Sequence, residues 1–506
     1  MLNSEPQLQH RWWWLVATLY VISAGWHIAA NGTNADEGFY AIAARSVWEG
    51  DLPYRDFGYT QPPLHPYING AAMQVLGFGL FEQRTVNAFW AAAAIALAAG
   101  LLYRRVGWGY AVGLVGLFAL SSHWMHYTHI GKTYALVALL SSWAAWVWMQ
   151  SPTGPRKLLL LAFIGTLAVG SRLPSAPFFG LLWLAALWEC WSQRSAKTGI
   201  AVAASGLLPL VLLGPFVWVA PEVARFWMWD WFVLSVPLRD FRVSIAEALA
   251  LAPVLGLGLI AGAIWTIKHE RPIARTQVLM AASLVALFMN VGRSGSYAEY
   301  GVMFLPVLAV SIALWGAGGL RGLNVRQATL LGVIAISFSV VASVALRWNA
   351  ILPERKGTYQ MLVPASAAEF EPTLIFRLDQ ARAVVREFLP PDAPFWGPKI
   401  ILAAETGNPD PATNRMGPFS ATSDYTAAEA AHLNLLRLEQ IEAAMRDPAV
   451  PLIGFSTIPK FNYLWSVPSF SALEGRNSAA WMEMIGQHFL IAYQDRDFLL
   501  LVRKPP

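Results

Sequence analysis

The chain has 506 residues, of which 56% are hydrophobic and only 13% charged, with a mean hydropathy of +0.44. Ordinary soluble domains carry about 25% charged residues, so this composition excludes a soluble globular protein. A formal net charge of +5 with no compact basic arm argues against a nucleic-acid partner, and the lone Cys190 excludes an intramolecular disulfide.

Apolar segments recur along the chain at about 12–30, 85–103, 108–122, 133–150, 158–170, 174–191, 199–220, 246–267, 277–291, 300–318 and 328–346. A bilayer core needs about 20 apolar residues, and on this reading there are about eleven transmembrane helices, several of them short. The first is read as a retained span, because a signal peptide would have a shorter apolar core. The break at Arg172 and Pro174 suggests a re-entrant pair. Arg104, Arg105, Arg156, Lys157, Arg194, Lys197, Lys268, Arg271, Arg275, Arg321 and Arg326 crowd the short loops on one side. The positive-inside rule makes that side cytoplasmic, with the N-terminus inside and the C-terminus outside.

The outward loops at 31–84 and 221–245 are long, and after Arg347 the composition becomes that of a soluble domain. Two domains are therefore expected: a transmembrane body over 1–347 and an extracytoplasmic α/β domain over 348–506. In the second, Phe376–Phe388 and Ala427–Met445 read as helices, with Leu438, Ile441 and Met445 on one face. Ile400–Ala403 and Pro451–Phe455 read as strands, and Phe489–Val502 as a hairpin turning at 494–497.

The first outward loop carries the chemistry. Asn34-Ala-Asp36-Glu37-Gly-Phe-Tyr40 opens an amphipathic helix running to about Trp48, and Gln61-Pro62-Pro63-Leu64 follows. Asn34 and Glu37 fit a capping box, so Glu37 also has a purely structural reading. One carboxylate at the membrane surface with several Arg or Lys nearby could take a proton and hold a phosphate. Outward Arg84, Lys132, Arg172, Arg225, Arg239, Arg242 and Arg293 supply cations, although each alone could be a side chain snorkelling to the headgroups. Arg172 and Arg293 stand out, because short loops pin both at the mouth of the bundle. His123, His126 and His129 lie among Trp124 and Tyr127, which reads as an interfacial aromatic belt rather than a metal site.

The Asp36-Glu37-x-x-Tyr40 motif, followed by Pro62-Pro63-Leu64, resembles the GT-C superfamily of membrane glycosyltransferases. In particular it resembles bacterial protein O-mannosyltransferase-like enzymes and the transferases that put aminoarabinose on lipid A. Tyr300-Gly-Val-Met-Phe-Leu-Pro306 looks like that family's Y-x-L-P run. The resemblance implies a polyprenyl-phosphate-sugar donor, a hydroxyl acceptor, inversion and a site at the outer face of the cell inner membrane. In it Asp36 would be the base, with Glu37 beside it, and Tyr40, Gln61, Pro62, Lys132, Arg172, Arg293 and Tyr300 would bind substrate. Two departures stand out. Gln61 replaces the lysine that aminoarabinose transferases place before P-P-L, which counts against the same donor. Gly131-Lys132-Thr133-Tyr134 lacks the relatives' acidic residue, so no metal or other cofactor is expected. A transporter or flippase of lipid-linked sugars would use the same cations but tends to show paired repeats and broken helices, which the chain lacks. A membrane scaffold would leave both motifs unexplained.

Overall fold

The computed structural model describes residues 5–191, 196–231, 275–291, 297–319, 374–422, 425–455 and 483–505. Its helices are α1 (Glu5–Ala30), α2 (Ala35–Glu49), α3 (Leu64–Leu76), α4 (Leu80–Val106), α5 (Trp108–Leu120), α6 (Ser122–Thr128), α7 (Tyr134–Gln150), α8 (Pro155–Val169), α9 (Ala176–Trp191), α10 (Ala196–Val219) and α11 (Pro221–Arg225). After these come α12 (Arg275–Val291), α13 (Tyr297–Gly301) and α14 (Leu305–Gly319). The C-terminal region adds α15 (Leu374–Phe388), α16 (Ile401–Thr406), α17 (Ala427–His432) and α18 (Leu438–Arg446). Its strands are β1 (Ala421–Thr422), β2 (Leu436–Arg437), β3 (Leu452–Phe455), β4 (Phe489–Gln494) and β5 (Leu499–Arg503).

Each apolar segment of the sequence falls on helix, except 246–267 and 328–346, which lie outside the described residues. Arg11–Ala30, Leu80–Val106, Leu173–Trp191 and Ala196–Val219 are long and apolar enough to cross a membrane. Shorter apolar helices (Trp108–Leu120, Arg275–Leu287 and Glu299–Trp315) pack with them. Their shared core includes Ala98, Leu102, Val115, Val137, Trp148, Ile164 and Phe304. Gly170 and Pro174 break the chain between α8 and α9, and Arg172 sits in the break with extended backbone.

One end of the bundle gathers the basic loops. Lys157 Nζ lies 2.8 Å and Arg275 Nε 3.2 Å from Glu189, and Arg105 donates to the Met149 carbonyl at 2.6 Å. Helix α7 begins at Tyr134 and ends at Gln150 beside that basic end. At 1.5 Å per residue its termini are about 25 Å apart, so Lys132 and Arg172 stand at the other end from the basic cluster.

The C-terminal region packs on the segment between α1 and α4. Helix α2 lies against α16, and one core takes Phe39, Ile42 and Tyr54 from this segment with Ile400, Leu402, Phe419 and Phe498. Ion pairs fasten the joint: Arg45 to Asp410 at 2.6 Å, Arg415 to Asp410 at 3.1 Å, and Arg415 to Asp51. At the start of α2, Asp497 accepts from the Thr33 backbone and hydroxyl, and Lys399 donates to the same hydroxyl at 2.6 Å.

Two expectations for this region need correction. Ile400–Ala403 is not a strand: Ile401–Thr406 is a helix that buries its apolar run against α2 and ends at Gly407, whose φ is +77°. A short apolar run does not distinguish strand from buried helix by periodicity, and here packing decides. Ala427–Met445 is not one helix either. It breaks at Asn434 (φ +55°), and Leu436–Arg437 pair in parallel with Ala421–Thr422 before α18 begins. Leu438, Ile441 and Met445 are buried together as the pattern requires. The hairpin forms as read: β4 pairs antiparallel with β5, and Asp495 accepts from the Asp497 and Phe498 backbone in the turn. Strand β3 completes a sheet ordered β3-β5-β4.

Gly38 is where α2 meets α16. A side chain there would place Cβ 2.9 Å from Ile400 Cγ1 and 3.0 Å from the Ile401 backbone nitrogen. Gly38→Val should therefore push α16 off α2, lowering the midpoint of thermal unfolding and activity together. Unchanged unfolding with full activity would show that this contact does not position α2.

Candidate active site

Helix α2 begins under strict local control. The Asn34 side chain accepts from the Asp36 backbone N–H at 3.0 Å, and Glu37 Oε2 accepts from the Asn34 N–H at 2.7 Å, closing the capping box. This fixes Asp36 and Glu37 in the first turn, pointing to different surroundings.

Glu37 is fully buried. Arg84 grips it through Nε and Nη2, both at 2.7 Å, and the Gly131 N–H adds a bond at 2.8 Å. The other donors of Arg84 go to the carbonyls of Ile28, Asn31 and Gly32. Arg84 is therefore committed to structure, and not a free outward cation as its position in sequence suggests. Burial pushes the Glu37 carboxyl up, but the charge and hydrogen bonds of Arg84 outweigh this and hold it below the usual range. Glu37 thus joins α1, α2, α4 and the loop before α7. Glu37→Gln leaves Arg84 buried without its counter-charge, and loss of one partner of a buried pair costs about 3–5 kcal/mol. A large fall in unfolding free energy is the expected result. Because the folded pKa is depressed, the pair's contribution is full above the unfolded value of about 4.3 and is lost as pH falls through the lower folded value.

Asp36 has a different setting. Its side chain is 27% exposed and Oδ2 lies 2.7 Å from Lys132 Nζ. Lys132 is buried and also lies 3.1 Å from Glu299 Oε2, which accepts a further bond from the Tyr134 hydroxyl. Burial lowers the Lys132 pKa, but Asp36 and Glu299 outweigh it and hold the ammonium well above its usual value, so it stays charged. Glu299, carried on α13, is not marked as a site residue by any motif in the sequence. The only signal was its place one residue before Tyr300, at the head of the Y-x-L-P run.

Arg172 completes the cluster. Its Nη1 donates to the Thr133 hydroxyl at 2.9 Å and its Nη2 to the Tyr134 hydroxyl at 3.3 Å. The guanidinium lies 4.4 Å from the Tyr134 ring centre and 4.6 Å from that of Tyr300. Its Nε is buried with no hydrogen-bond partner among the described residues. Tyr40 is buried beside these groups, and burial pushes its hydroxyl up to about 12, against the charges of Arg172 and Lys132.

Gln61 and Pro62 are buried in the loop that leads into α3. The Gln61 carbonyl accepts from the Tyr54 hydroxyl at 2.6 Å, and Pro63 leads directly into α3. The Leu64 N–H then donates to the Gly170 carbonyl at 2.8 Å, tying the P-P-L motif to the turn that carries Arg172. Asp36, Tyr40, Lys132, Arg172 and Tyr300 thus converge, with Thr133, Tyr134 and Glu299 among them. Arg225 pairs with Asp230 at 3.3 Å and is largely exposed. Arg239, Arg242 and Arg293 lie outside the described residues. Among the described residues no group of three or more His, Cys, Asp and Glu is arranged to hold a metal ion.

No family model matches the chain, and no curated protein matches its sequence. Among solved structures, ArnT from Cupriavidus metallidurans bound to undecaprenyl phosphate is similar over 99% of this chain and 100% of its own, at 14% identity and a TM-score of 0.59. Its apo state is similar over 98% and 99%, at 14% identity and a TM-score of 0.57. ArnT, a lipid A aminoarabinose transferase, has the GT-C fold, and the likeness of this chain to it is one of fold.

Proposed function

We propose that this chain, having the fold of a polyprenyl-phosphate-binding transferase, is itself a glycosyltransferase. It would move a sugar from a polyprenyl-phosphate donor to a hydroxyl acceptor at the outer face of the cell inner membrane, in the multi-pass topology read from the basic loops. The observation that carries this reading is the cluster at the bundle mouth. It holds a partly exposed carboxylate, Asp36, 2.7 Å from a buried Lys132, with a buried Arg172 that has no ion-pair partner among the described residues.

The residues supply each part of a direct displacement. The acceptor oxygen attacks the anomeric carbon while its proton passes to Asp36. The bond from that carbon to the phosphate oxygen breaks, and its electron pair leaves with the polyprenyl phosphate. Attack opposite the leaving group inverts the anomeric centre. The phosphate gains negative charge as it departs, and Arg172 is shaped to hold it. Lys132 serves both ends: as Asp36 takes the proton its pull on the ammonium weakens, which frees Lys132 to turn to the phosphate. Glu299 remains the counter-charge of Lys132 meanwhile. Glu37 supports the geometry through Arg84.

The reading is tested in the host by mass spectrometry of envelope lipids, glycans and proteins from wild-type and deletion strains. Loss of one sugar from one acceptor class, restored by the wild-type gene but not by Asp36→Asn, is expected. An unchanged envelope profile would overturn it. The topology has its own check, in cysteine labelling of intact cells. A cysteine at the exposed Asp392 should be labelled and one at Arg156 should not. The reverse pattern would move the site to the other side of the membrane.

A further inference from the structure

Next to the Asp36 cluster lies a set of buried polar groups that the reaction above does not use. His65, the first residue after P-P-L, is completely buried, and neither Nδ1 nor Nε2 has a hydrogen-bond partner among the described residues. Tyr59 is also completely buried, and its hydroxyl lacks a partner in the same way. Both rings stand edge-on to Tyr40, His65 at 5.1 Å and Tyr59 at 6.3 Å between ring centres. The Arg172 guanidinium, whose charge acts on the Tyr40 hydroxyl, likewise has an Nε with no hydrogen-bond partner among the described residues. Buried polar groups in folded proteins are overwhelmingly paired, so several orphans around one ring call for an explanation. A bound substrate that supplies the missing partners is one that also accounts for their position.

The chemistry of these groups identifies what they would hold. Burial and the nearby Arg172 charge push His65 down to about 3, so at neutral pH it presents one N–H donor and one bare nitrogen acceptor. The Tyr59 hydroxyl likewise both donates and accepts. A phosphate only accepts, and a bare ring nitrogen would repel it. A sugar hydroxyl donates and accepts, and so matches both groups. We infer that His65 and Tyr59 form a subsite for the hydroxyls of the donor's sugar ring, while Arg172 holds the phosphate beside it. This rests on the lipid-linked donor of the proposed function and deepens it. The P-P-L motif then has a task beyond stiffening a loop: its tie from Leu64 to Gly170 sets His65 beside the Arg172 turn.

Binding to purified protein in nanodiscs tests the inference with defined probes. The probes are undecaprenyl phosphate, and undecaprenyl phosphate carrying glucose, mannose, galactose, N-acetylglucosamine or arabinose. Wild type should bind at least one glycosylated probe tenfold or more tightly than the bare carrier. Tyr59→Phe and His65→Phe should lose most of that increment and bind the bare carrier as wild type does, whereas Arg172→Ala should weaken both. Since the two groups have no hydrogen-bond partner among the described residues to lose, neither variant should lower the unfolding temperature of the ligand-free protein. Tyr59→Phe changes only the hydroxyl, so it reads binding even if the His65 variant misfolds. Equal weakening for the bare carrier, no change with any probe, or no glycosylated probe preferred by wild type would each overturn the sugar subsite. If wild type bound neither the bare carrier nor any glycosylated probe, the lipid-donor reading itself would fall, and the subsite with it.

Discussion

Asp36→Asn should abolish sugar transfer while leaving the protein folded. The amide fills the same space, keeps an oxygen for Lys132 and leaves the Asn34 cap on the Asp36 backbone intact. It cannot take up the acceptor's proton, and loss of a positioned base commonly costs about 10²–10⁴ in rate. Single-turnover transfer by the purified variant, beside its unfolding temperature, measures both halves of the expectation. Glu299→Gln is the informative companion. It loosens Lys132 and Tyr134 but leaves the partly exposed carboxylate in place, so its loss should be smaller. If Glu299→Gln were inactive and Asp36→Asn active, the base would be Glu299 and the assignment of Asp36 would fail.

The second large effect belongs to Arg172. If its guanidinium holds the departing phosphate, the interaction strengthens as charge accumulates, so kcat should fall along with donor affinity. Arg172→Ala is expected to lose about 10²–10³ in kcat, the range seen when a donor aimed at developing charge is removed. Arg172→Lys keeps a charge but loses the planar fork and its stacking between Tyr134 and Tyr300, and should remain impaired. The competing role is packing, with Arg172 only bracing the turn between α8 and α9. In that case both variants would unfold at lower temperature, yet whatever remained folded would turn over at the normal rate.

These expectations show which features are written locally in the sequence. The capping box that aims Asp36 and Glu37 spans four consecutive positions, and the apolar helices declare themselves by composition, so both were legible. The partners of charged residues were not. Arg84 looks like an outward cation, yet all its donors are taken by Glu37 and three carbonyls that only the fold brings near. Glu299 lies 167 residues from Lys132 in the chain, and a search of the stretch around Lys132 finds no acid there. The acid expected by resemblance after α6 is absent, and one arrives at Lys132 from α13 instead. His65 and Tyr59 carry no mark in the sequence, because a buried group without a partner among the described residues is defined by its surroundings. Ile400–Ala403 shows the same limit for secondary structure, where packing against Gly38 made helix of a run that reads equally well as strand.

The central claim is that a lipid phosphate is held at the bundle mouth beside Asp36. A density map of the protein in nanodiscs with undecaprenyl phosphate tests it most directly. The account predicts the phosphate within hydrogen-bonding distance of the Arg172 guanidinium, with Lys132 between it and Asp36. A phosphate resting only among headgroups, away from Arg172 and Lys132, would contradict it.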